Sequence, residues 1–112
     1  MLGALLQMAS GRLIHLIALF RHGVRQPLEA ALEGFDIHHS WHDDQHLTDV
    51  GARQHFLLGR EIREIYTEDL GFLPRRFNAS EVVVKSTNVN RTIRSAGFFL
   101  SGLFPLGTGP EL

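Results

Sequence analysis

Residues 13–27, LIHLIALFRHGVRQP, decide the fold. Positions 13–20 run almost without a polar break, His15 being the interruption, and such a run fits a strand buried on both faces of a helix-covered parallel sheet. The strand is predicted to end at Arg21, where Gly23 permits a sharp turn. Pro27 removes a ladder donor and disfavours helix at Gln26, so 21–27 reads as a loop at the strand's C-terminal end. In open α/β sheets ligands bind at that end. Arg21 and Arg25 flank His22, and cations so placed repel one another unless an anion sits among them.

Outward from this stretch, the chain alternates between the two backbone periods. Residues 1–11 are apolar but short and follow no basic segment, which reads as a poor or truncated leader. Residues 28–47 are irregular and rich in histidine. Thr48 is placed as an N-cap with Asp49 in the first turn. Val50, Leu57, Leu58, Ile62 and Ile65 then form one stripe at helical spacing, predicting a helix over about 49–68 with an Arg60–Glu64 pair on its far side. Gly71, Pro74 and the sequence FNAS mark a loop. EVVVK, residues 81–85, reads as a second strand, Ser86-Thr87-Asn88 as a cap, and Ile93, Ala96, Gly97, Leu100, Leu103 and Phe104 as a second helix ended by Pro105.

Two strand–turn–helix units place Arg21, His22 and Arg25 on one sheet edge with Lys85, Ser86, Thr87 and Arg91. Cations beside a helix N-terminus make an anion site, and phosphate is the expected anion. Bulk properties agree with one globular domain. The 112 residues are 44% hydrophobic and 21% charged, with a net charge of −1, which offers no basic surface for nucleic acid. The absence of cysteine removes disulfides, thiolate nucleophiles and cysteine-type zinc sites. A membrane span needs about 20 mostly apolar residues, and no such run is present.

At these motifs the chain resembles a known family. RHGVRQP resembles the RHGxRxP signature of the histidine acid phosphatases, the branch of the histidine phosphatase superfamily that contains the prostatic and lysosomal enzymes. LTDVGARQHFLLGREIREIY is similar to that family's next helix, and VVVKSTNVNRTIRSAGFFLSGLFP to its strand–turn–helix block. The resemblance implies an α/β fold, with residues 12–112 as the N-terminal, incomplete portion of a sheet carrying helices on both faces. It implies a phosphate-monoester hydrolase with no cofactor and no metal, acting through a phosphohistidine. His22 would be the nucleophile, and Arg21 and Arg25 would bind phosphate oxygens. Guanidinium charges disfavour the protonated imidazole and stabilise charge on the transferring group. A secretory or lysosomal location is what the family suggests.

Two departures qualify that expectation. Lys85 stands where the family carries a third phosphate-binding arginine, and Asn88 and Asn90 replace acidic residues. Lysine keeps the charge but not the planar fork, and a lost charge-assisted bond is worth roughly 1.5–3 kcal/mol. The family's His-Asp pair lies well beyond residue 112, so the chain alone is expected to be weakly active or inactive, and an incomplete sheet to associate, as a homo-oligomer or otherwise, through its edges.

Alternatives stand beside this reading. One is a non-catalytic phosphate-binding module. Another is metal binding by the cluster His38, His39, His42 and His46, in which His38, His42 and His46 at i, i+4, i+8, with Asp43 and Asp44 between, would suit zinc or copper on a helix. Ser40 and Gly34 break that pattern and favour a solvated loop. Arg91 reads equally as a structural or a phosphate-contacting residue. His15 is expected in the core or on a sheet face, and His55 carries no motif. Asn78 and Asn90 head glycosylation sequons.

Overall fold

The structure is a computed structural model that describes residues 11–26 and 46–109. The first helix, α1 (Asp49–Arg63), opens where Thr48 leaves extended backbone and its Oγ1 accepts the Gly51 N–H at 3.1 Å. Asp49 in its first turn and Arg60 and Arg63 in its last complement the helix dipole. It widens into a π-helical turn, Glu64–Asp69, so the predicted helix forms with a looser end. The wider turn changes which charges meet: Arg63 pairs with Glu68 at 3.2 Å, five residues on, and Arg75 joins Glu68 at 3.1 Å. The expected Arg60–Glu64 pair does not form among the described residues. Gly71, at φ 60°, takes the left-handed conformation that stops the helix, and the Tyr66 carbonyl accepts from Phe72 and Leu73 at 2.8 Å.

The second helix, α2 (Asn90–Leu103), starts one step later than the expected cap. Val89 is the N-cap and offers no side-chain bond. The Thr92 hydroxyl, inside the first turn, donates to the Val89 carbonyl at 2.8 Å. The helix closes with Phe104 N–H on the Leu100 carbonyl at 2.7 Å, just ahead of Pro105, and Arg63 reaches across from α1 to cap the Leu103 carbonyl at 2.9 Å.

The helices pack through their smallest residues. A Cβ on Gly59 would collide with the Phe99 carbonyl, and one on Gly102 with the Phe56 carbonyl. The buried face of α1 is accordingly Gly51, Ala52, His55 and Gly59. The apolar stripe expected to face the core is instead largely outward, with Val50, Leu57, Leu58 and Ile65 all exposed. Backbone-to-backbone approach selects the positions without side chains, because a leucine there would hold the axes apart. Leu47, Ala52, Ala96, Phe99 and Leu103 form the buried apolar centre.

The expected sheet is the main correction. Among the described residues no strand forms, and the single ladder element is an antiparallel bridge between Arg25 and Leu47. Residues 13–20 and 81–85 run straight but unpaired, with Ile17 80% and Leu19 96% exposed. Their composition suits a pleated sheet, yet a ladder needs a neighbour about 4.8 Å away, and neither segment supplies one to the other. Both instead line one cavity of about 500 Å³ together with Ile62, Phe99, Leu100 and Leu103. His15 is consequently exposed on that cavity's wall rather than buried in a core. No helix among the described residues is long and apolar enough to cross a membrane.

Candidate active site

With no ladder to hold it, the turn after Phe20 is fixed by side chains from both helices. Phe20 anchors its start, its ring 4.7 Å from that of Phe99 and 5.0 Å from that of His55. Three consecutive residues are then gripped. His22 Nδ1 lies 2.7 Å from the Gly23 carbonyl oxygen. Gly23 N–H donates to Ser95 Oγ at 3.1 Å, and that hydroxyl donates onward to the Arg91 carbonyl at 2.7 Å. Val24 N–H donates to Gln54 Oε1 at 3.1 Å, while its carbonyl accepts from Thr48 Oγ1 at 2.7 Å and Thr48 N–H at 2.9 Å. Gln26 N–H completes the set on the His46 carbonyl at 2.9 Å. A Cβ on Gly23 would strike the Gly51 carbonyl, so the turn lies directly against α1.

The consequence for His22 is a defined tautomer. A carbonyl oxygen only accepts, so the Nδ1 contact requires a proton on Nδ1, and the neutral form of the ring then carries its lone pair on Nε2. A half-buried imidazole with Nδ1 so engaged offers Nε2, in that neutral form, as a nucleophile.

The structure brings some predicted residues together and separates others. His22, Lys85, Ser86 and Thr87 line the same cavity, along with Thr92 of α2. Arg21, Arg25 and Arg91 are not on its walls. Arg21 is exposed, Arg25 is half-buried with Nη1 donating to the Gln26 carbonyl at 2.9 Å, and Arg91 sits half-buried in the first turn of α2. Lys85 is exposed. His38, His39 and His42 lie outside the described residues. His46 contributes its carbonyl to the turn, and no group of three metal-ligating side chains occurs among the described residues. Asn78 lies exposed, its Oδ1 accepting from Ser80 N–H at 3.0 Å.

Sequence reasoning missed Gln54, Ser95 and His55, and gave Thr48 only half its role. Ser95 is 1% exposed, the most buried polar side chain of the site. The available signal was a small polar residue beside Ala96 and one turn before Phe99, on a helix face where an unpaired hydroxyl would be costly. His55 is buried against Phe20. Burial chiefly, with a smaller contribution from His22, holds its pKa below the ordinary value of 6.5, against an opposing hydrogen bond to the Arg21 backbone.

The sequence that builds this turn and the two helices holding it matches a recognised class. The family model for the histidine phosphatase superfamily (branch 2) matches residues 12–111, and the chain belongs to that superfamily. It is 36% identical over 107 residues to a lysosomal acid phosphatase of Xenopus laevis, covering 94% of this chain and 24% of that protein. A lysosomal acid phosphatase of Bos taurus is 39% identical over 88 residues, 78% of this chain and 20% of that one. Human lysophosphatidic acid phosphatase type 6 is 47% identical over 58 residues, covering 52% of this chain and 14% of the relative. The chain thus spans a quarter or less of these relatives' length.

Proposed function

We propose that this chain carries the phosphoryl-accepting part of a phosphomonoester hydrolase of acid phosphatase type, with His22 as nucleophile. The observation that carries the reading is the Nδ1–Gly23 contact within a superfamily match over 12–111. The Nε2 lone pair attacks phosphorus, a P–N bond forms, and the P–O bond to the alcohol breaks with the leaving oxygen taking its electron pair and then a proton from solvent water. Water then attacks the phosphohistidine, releasing inorganic phosphate and the free imidazole. Covalent capture divides one difficult displacement into two easier ones. Arg21, Arg25 and Lys85 are the cations assigned to the phosphate oxygens, where they offset charge as the group transfers. Lys85 and His22 already share a cavity, while the two arginines need a side-chain rotation toward it.

An aryl phosphate tests this with little demand for a proton donor, because a phenolate leaves unaided more readily than an alkoxide. The full chain should retain labelled phosphate in an acid-labile, alkali-stable form, and His22→Asn should retain none. Equal retention by both proteins would refute the assignment. Phosphate binding without capture would favour a binding module instead.

A further inference from the structure

The cavity that His22 shares with Lys85 extends well past both, and its two ends differ in character. Contacts with α2 fix its direction. Gly23 meets Ser95 and Phe20 meets Phe99, so residues 13–22 run from the Leu103 end of that helix toward its start. Phe77 meets Phe104 and Thr87 meets Thr92, so residues 77–87 run the same way. In both segments the polar wall residues come last. His22, Lys85, Ser86, Thr87 and Thr92 therefore gather at one end of the cavity. Beyond them its wall is largely apolar, following α2 from Thr92 to Leu103 for about 16 Å at 1.5 Å per residue. His15 and Glu81 come first in their segments, and both are exposed at the far mouth.

Apolar side chains along this trough are left to water. Ile17, Leu19 and Val83 line it and are 80%, 96% and 77% exposed. An apolar wall joined to a cationic, hydroxyl-bearing end matches an amphiphile, and a volume of about 500 Å³ lies in the range of small-molecule sites. A compact ester would meet only the polar end, whereas an extended chain covers the wall along its length. We propose that the trough seats the alcohol part of the substrate, which is a phosphate monoester of a long, unbranched apolar alcohol. The proposal rests on the phosphatase reading of His22 and adds the substrate class. The phosphoryl group lies between His22 and Lys85 and the chain runs toward Leu103, where each methylene removed from water adds affinity.

Alkylphosphonates test this without turnover, because their C–P bond is not hydrolysed. Calorimetry with the full chain should show affinity rising about fourfold for each added methylene from ethyl- to octylphosphonate. The heat-capacity change should grow more negative along the series. Ile17→Ser combined with Val83→Ser, both at exposed positions, should weaken octylphosphonate about 10-fold and leave ethylphosphonate unchanged. Lys85→Ala should instead weaken every member by the same factor. Equal affinity from ethyl to octyl, or a folded double variant with the wild-type length dependence, overturns the proposal. If the double variant does not fold, the wild-type series alone decides. Octylphosphonate binding no tighter than octanol refutes the phosphatase reading instead, and the length series still decides the apolar wall.

Discussion

Removing the Ser95 hydroxyl should loosen the His22 turn more than it disturbs the helix carrying it. In Ser95→Ala the Arg91 carbonyl keeps a partner in its helical N–H, but the Gly23 N–H, on a buried residue, loses its acceptor. An orphaned buried donor costs about 1–3 kcal/mol. Alanine returns about 0.5 kcal/mol of helix propensity over serine. The net loss is then about 0.5–2.5 kcal/mol, a fall of about 0.2–2.5 M in the urea midpoint for a slope near 1–3 kcal/mol per M. Urea titration at 222 nm reads the global term, and amide exchange at Gly23 reads the local one. Gly23 should lose its protection by more than residues inside α2 do. An unchanged midpoint with Gly23 still protected would show that the 3.1 Å contact carries no energy and would refute the reasoning.

Three further outcomes are expected. Gly97→Ala, with open space around its new Cβ, should stabilise by about 1 kcal/mol through propensity alone, whereas Gly102→Ala meets the Phe56 carbonyl and should fall about 1–3 kcal/mol below it; equal midpoints for the two would deny the close helix contact. His55 has its folded pKa depressed below 6.5, so its neutral form contributes stability above that value that is lost as pH falls through the folded pKa. The urea midpoint should therefore drop between neutral and mildly acidic pH, and His55→Gln should flatten that part of the profile. Lys85→Arg supplies the planar fork and should tighten inorganic phosphate binding by about 10- to 100-fold, read by calorimetry, if the side chain meets the anion.

Local patterns in the sequence were reliable guides where the interactions they report are local. The Thr48 cap, the helix over 49–68 and the stop at Gly71 all follow from residues within a turn of one another. The motif around His22 was equally clear, since three ordered blocks identify a family without any geometry. Strands failed because a ladder is a relation between distant segments: EVVVK and LIHLIALF have the right composition and no partner among the described residues. The inward face of α1 failed for a related reason. Hydrophobicity pointed to Val50, Leu57 and Leu58, but two glycines let the helix backbones meet and turned that stripe outward. The supports of the turn, Gln54 and Ser95, are 30 and 72 residues away from what they hold, and no spacing rule reaches that far.

The Thr48 hydroxyl serves two structures at once, accepting from Gly51 at the start of α1 and donating to Val24 in the loop. Fraying of the helix end and release of the loop are therefore a single event, since neither can happen while that oxygen keeps both bonds. The first turn of α1 and the backbone beside His22 form one cooperative opening unit, and whatever tightens the helix start keeps that loop in place.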